Sequence, residues 1–86
     1  MEKLKVSAKS NPNSVAGALA AEINENGKAE IYAIGASAVN QTIKAVAIAR
    51  GFTAQCEMNL VYMPEFINIE TENGPRTVIK VVVEPR

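Results

Sequence analysis

The stretch Ala29–Phe52, AEIYAIGASAVNQTIKAVAIARGF, decides the fold. Its first part, Ala29–Ile34, is close to continuously apolar, which is the pattern of a strand in the middle of a sheet. Gly35 ends that strand. A helix then runs from about Ser37 to Ala49 or Arg50, with Gly51 as its C-terminal stop. No charge occurs between Glu30 and Lys44. The helix is built mostly of small side chains. Val39, Ile43 and Val46 recur as a core stripe, and Ala38, Thr42, Ala45 and Ala49 form a small-residue stripe beside it. Asn40 and Lys44, at i and i+4, make the wet edge. A helix with so little polar surface is covered on two sides. The small stripe either lets a second helix of the same chain come close or forms a dimer interface with a second copy.

Upstream, Lys3–Ala8 alternates, with Leu4, Val6 and Ala8 on one side and Lys3 and Lys5 on the other, as in a half-buried strand. The segment KSNPNS, Lys9–Ser14, breaks it and supplies N-cap side chains. Val15–Asn26 is a second amphipathic segment, with Val15, Leu19 and Ile23 as its apolar stripe and Glu22 and Glu25 in water. Gly27 stops it, and Lys28 suits the negative end of the helix dipole. Downstream, Met58–Glu70 is extended. Pro64 within it marks an edge strand or a bulge. Asn73-Gly74 is a two-residue hairpin signal, and Arg76–Glu84 is a last strand with two largely apolar faces. The order is β-α-β-α-β-β. It predicts an α/β two-layer sandwich over residues 1–86, with a four-stranded mixed sheet and two helices on one face. The first two strands, joined through a helix, are parallel. The other sheet face carries no helix, so water or a partner covers it.

Composition bounds what such a domain can do. The 86 residues are 48% hydrophobic and 21% charged, the make-up of one globular domain with a small core. No run is apolar enough to span a membrane. The opening MEKLKVSAKS lacks the apolar core of a signal peptide, so an intracellular protein is expected. Cys56 is the only cysteine and histidine is absent, which excludes an internal disulfide and argues against a zinc site. Cys56 is expected to be a partly buried small side chain. Without histidine there is no Ser–His or Cys–His nucleophile, and no glutamates pair for acid–base work. The reading is a non-enzyme that needs no metal and no cofactor. Net charge is zero, but residues 1–56 carry six Lys/Arg against four Glu, and residues 57–86 carry three against five.

Ligands of open sheets tend to bind beyond the carboxyl ends of parallel strands. Both strand-to-helix loops, KSNPNS and GASAVN, emerge there, and each opens a helix whose free N–H groups suit an anion. Lys9 adds a full charge. Ser10, Asn11, Asn13, Ser37 and Asn40 add neutral donors, and Lys44 and Arg76 flank them. A phosphate or nucleic-acid backbone is the fitting guest. Helix capping alone explains the same Ser, Asn and Pro residues, and the two readings stand side by side.

Three segments, LKVSAKSNPNSVAGALA (Leu4–Ala20), Ala29–Phe52 and RTVIKVVVEPR (Arg76–Arg86), closely resemble the stage V sporulation protein S family. The resemblance implies a small, non-enzymatic, cytoplasmic bacterial protein acting in spore development, with a role also in division and septation. More distantly, the layout is similar to the Alba chromatin proteins, which implies dimers that bind DNA or RNA. Alba proteins carry a basic pair after the first strand, basic residues around the glycine after the second, and a long basic hairpin. Here Lys9 matches the first of the pair and Ser10 replaces the second. Ile34 and Ala36 flank Gly35. The hairpin carries Glu70 and Glu72 with a single Arg76.

Two functions follow. One is a dimeric nucleic-acid-binding regulator that contacts phosphates through the two loops. With two or three Lys/Arg per chain, its salt-dependence slope on B-DNA is about −4 or −5. The other is a module that self-assembles or docks a sporulation or division protein through the bare sheet face and the small helix stripe.

Overall fold

The computed structural model describes residues 3–86; Glu2, counted in the charge balance, lies outside them. Six elements follow in the expected order: β1 (Lys3–Val6), α1 (Pro12–Asn26), β2 (Ala29–Ala33), α2 (Ala36–Ala54), β3 (Leu60–Thr71) and β4 (Gly74–Pro85). The sheet order is β1-β2-β4-β3. β1 and β2 are parallel, with Lys3 beside Glu30 and Val6 beside Ala33. β4 is antiparallel to both of its neighbours. The continuously apolar β2 is interior, as expected. Pro64 lies on β3, an edge strand, where its missing N–H is tolerated.

α1 starts where its sequence provides a cap. The Asn11 Oδ1 accepts the N–H groups of Asn13 (2.8 Å) and Ser14 (3.3 Å). Pro12 fills the first helical turn, where no N–H is needed. Gly27, at φ +82°, donates its N–H to the Ile23 carbonyl and ends the helix. The buried residues are Ala16, Leu19, Glu22 and Ile23, and Val15 is only half-buried. Glu22, expected in water, is thus covered. Its carboxylate is met within the helix, where Asn26 Nδ2 donates to Glu22 Oε1 at 2.7 Å.

α2 runs past Gly51 to Ala54. Its buried stripe continues from Ala49 to Thr53, so the next turn still gains cover. The chain turns only beyond it, where Glu57 takes φ +58°. Cys56 in that turn is exposed rather than partly buried.

The hairpin differs by one position from the sequence expectation. Thr71 pairs with Gly74, so the loop is Glu72–Asn73 rather than Asn73–Gly74. The positive φ falls on Gly74, at +101°, and Thr71 Oγ1 braces the turn by accepting the Asn73 N–H and donating to the Gly74 carbonyl. Only Ile79–Val83 of β4 is backed by β2. The rest of the β3–β4 ladder projects as an arm, which gives the molecule extents of 43 × 22 × 17 Å.

The core lies between the helices and one sheet face, with Leu19, Ile31 and Val83 as fully buried members. One substitution separates the local roles in the loop before α1. Asn11→Ala lowers unfolding free energy by about 0.5–2 kcal/mol through loss of the cap. Asn13→Ala, whose side chain makes no cap bond, changes it by less than about 0.5 kcal/mol. Urea denaturation of both variants measures the difference.

Candidate nucleic-acid interface

β1 and β2 are parallel neighbours, so the turns that leave their carboxyl ends lie side by side. The first turn is built by its own serines. The Ser7 N–H donates to Ser10 Oγ (2.9 Å), the Lys9 N–H to Ser7 Oγ (3.2 Å), and the Ser10 N–H to the Ser7 carbonyl (3.1 Å). α2 holds this turn in place. Gln41 Nε2 donates to the Ser10 carbonyl at 3.1 Å and approaches the Ala8 carbonyl at 3.5 Å. The Gln41 Oε1 is buried and has no hydrogen-bond partner. Residues three and four apart share a helix face. Ser37 and Lys44 therefore lie on the Gln41 side of α2, toward the turn that carries Lys9, and Asn40 stands beside them. Gln41 was not a candidate from sequence. A glutamine in a polar run at a helix start carries no mark of a tertiary tether.

The two helix starts are not equivalent. In α1, Asn11 Oδ1 is committed to the cap, and the helix start explains Asn11 and Pro12. In α2, the N-cap residue is Gly35 at φ +93°, and no side chain caps the first turn. The first N–H groups of α2 thus face out beside Ser37 without a side-chain acceptor. Lys9, Asn11, Asn13, Ser37, Asn40 and Lys44 are all exposed, and Ser10 is half-buried with its hydroxyl inside the turn.

Arg76 belongs to a different part of this edge. β4 is antiparallel to β2, so the arm projects past the same carboxyl ends. Arg76 is three residues beyond Ile79, roughly 10 Å along the strand. It pairs with Ile69, and strand alternation puts it on the helix-free face, away from the helix starts.

The small stripe of α2 is not a dimer interface. Ala38, Ala45 and Ala49 have no exposed surface and Thr42 has 1%, because they pack inside the chain against α1 and the sheet. The slim side is the core side. Of the stripe expected in the core, Val46 is buried and Val39 half-buried, but Ile43 is turned out and 45% exposed. It faces a groove shared with Val46, Ala47, Leu60 and Tyr62. Tyr62 and Phe66 on β3 are also exposed, Phe66 to 78%. An apolar surface therefore runs over the outer side of α2 and the helix side of β3. Arg50 at its margin is held by Asn59, whose Oδ1 accepts from Arg50 Nη2 at 2.9 Å.

The family model for stage V sporulation protein S (SpoVS) matches residues 2–86. The chain belongs to the SpoVS family. Membership implies a role connected with sporulation. Among solved structures, Alba from Thermoplasma volcanium is similar with a TM-score of 0.62 and 16% identity, over 96% of this chain and 99% of that one. At that identity the likeness is one of fold, and the β-α-β-α-β-β sandwich is Alba-like. Among the described residues, no helix of this SpoVS chain is long and apolar enough to cross a membrane.

The helix-free face of the SpoVS sheet is neutralised at its centre. Lys80 Nζ lies 3.4 Å from Glu65 Oε1 and 3.6 Å from Glu30 Oε2. The Glu65 hydrogen bond, then the Glu30 charge, raise the Lys80 pKa above its ordinary 10.5. A raised folded-state pKa means that the contribution to stability is complete below the ordinary lysine value. It is lost as pH rises through the folded value. An alkaline NMR titration of Lys80 should show a midpoint above 10.5, and Glu65→Gln should lower it. Lys80→Met should change the stability equally at pH 6 and pH 9 in thermal unfolding, because Lys80 carries its charge at both.

Proposed function

We propose that this SpoVS chain is a non-enzymatic, cytoplasmic regulator of sporulation that binds nucleic acid as a homodimer. Phosphates are contacted through the start of α2 and the Lys9 turn. The observation that carries the reading is the α2 N-terminus without a side-chain cap, set beside a turn that Gln41 holds in place. Unpaired N–H groups and the positive end of the helix dipole favour an anion there. Lys9 adds charge from the turn, and Lys44 lies about two helical turns further along α2. Arg76 joins them only on a nucleic acid that also follows the arm. Such contacts fix position on a backbone and carry little sequence information.

Binding of a labelled duplex and a labelled single strand, measured by fluorescence anisotropy across salt concentrations, tests this. Two or three phosphate contacts per chain give a dimer slope of about −4 or −5. Lys9→Glu weakens binding to both probes and makes the slope shallower by about 2. Undetectable binding at low salt, or binding that ignores salt, would sink the reading.

Dimerisation is assigned to the exposed apolar surface of Ile43, Tyr62 and Phe66, not to the buried small stripe. Large apolar side chains grouped on a small domain mark an interaction surface, and a two-fold contact buries the same patch on both copies. The wild type should scatter light at twice the chain mass. Ile43→Glu with Phe66→Lys should reduce this to the single-chain mass without loss of the circular dichroism spectrum. A wild type that stays monomeric at high concentration would leave this surface to a different protein, as in a docking module for spore development or septation.

A further inference from the structure

On the face of the sheet away from the helices, a recess of about 260 Å³ is lined by Lys5, Ser7, Tyr32, Ile34, Ile69 and Val78. Resting on the nucleic-acid reading above, we propose that this recess holds the base of one unpaired nucleotide. The attached phosphate lies against Lys5 and the Lys9 turn. Ile34, Ile69 and Val78 give the recess an apolar lining, and Lys5 and Ser7 add a cation and a hydroxyl. That mixture suits a flat base whose sugar carries a phosphate. The volume is below the roughly 300 Å³ of pockets for drug-sized ligands, so it suits one ring system.

The charges around the recess point the same way. Lys80, at the centre of this face, is bound by Glu30 and Glu65. The Lys3 ammonium sits 5.2 Å from the centroid of the Tyr32 ring and makes a cationic lid over one of its faces. Lys5 makes no ion pair among the described residues. Arg76 is the register partner of Ile69 and adds a second cation on the arm side.

Ser7 joins this recess to the phosphate-binding turn. It lines the recess, and its hydroxyl and backbone build the turn that carries Lys9. Two residues of chain span at most roughly 7 Å, and less in a turn, so Lys9 is within reach of a phosphate attached to a base in the recess. A duplex keeps its bases stacked and paired, and only an unpaired nucleotide enters. A free mononucleotide has the same chemistry, and the test separates the two sources.

The probes are a labelled oligothymidylate, an abasic strand of equal length, and thymidine monophosphate. The proteins are the wild type, Tyr32→Ala and Ile34→Gln; Ile34 is exposed, so that neutral variant keeps its core. Anisotropy should show the base-bearing strand bound at least about 5-fold tighter than the abasic strand, the lower range for one base stacked on an aromatic ring. Both variants should lose that preference and keep the affinity for the abasic strand. If no strand is preferred or bound, but thymidine monophosphate shifts the amide resonances of Lys5, Tyr32, Ile34 and Ile69 in the wild type, the recess is a free-nucleotide site. Should no strand bind at all in that case, the polymer reading alone fails. A preference that survives in both variants, or no preference together with unmoved resonances, overturns the proposal.

Discussion

A helix can lie close to its neighbours only where its side chains are short. In this protein that condition is met along one line, Ala38, Thr42, Ala45 and Ala49, and the rest of the structure depends on it. Six of the fifteen buried hydrophobic residues are alanines. Each buries little apolar area, so the core draws its transfer free energy from a few larger members such as Leu19, Ile31 and Val83. What the alanines supply is proximity. They bring α2 against α1 and the sheet, and Thr42 returns its hydroxyl to the Ala38 carbonyl at 2.9 Å, so that hydroxyl is not left bare in the seam. The same close approach turns the bulkier Ile43 outward.

That inversion sets the limit of what the sequence discloses. Element order, the central place of β2, the edge place of β3 and the stop at Gly27 are all legible, because each rests on local chemistry. Continuous hydrophobicity, a proline and a glycine with positive φ act within a few residues. Which arc of α2 faces inward is not local. Hydrophobicity points to Val39, Ile43 and Val46, but packing selects the arc whose volume fits between two other elements. Helix length is a second case. Gly51 has the propensity of a stop, yet burial of Thr53 extends the helix by another turn, and tertiary cover outweighs propensity of that size. The hairpin moved by one residue because Gly74 supplies its positive φ from the position after the loop rather than within it.

The candidate site divides along the same line. That Lys9, Ser37 and Asn40 share one edge was legible, since topology alone brings the ends of two parallel strands together. The asymmetry between the helix starts was not. Asn11 and Gly35 occupy matching places, but one carries an acceptor for the helix N–H groups and the other carries none. Gln41 was also hidden, because its role is a contact over about thirty residues of chain to a carbonyl that no pattern marks. Arg76 was grouped with the loops by charge. Strand alternation places it on the opposite face, and only register reveals that.

These placements give the molecule's charge a geometry that its zero net value conceals. Acidic side chains gather where cations already need them, with Glu30 and Glu65 around Lys80 at the centre of the helix-free face. Two of the other cations, Lys5 and Lys9, stand toward the carboxyl ends of β1 and β2, where the α2 N–H groups also point. Interactions between exposed charges fade beyond about 10 Å in moderate salt. A phosphate at that edge therefore responds to the local cations far more than to glutamates elsewhere on the chain. Local arrangement, rather than total charge, is what lets a neutral domain of this fold present an anion-facing edge.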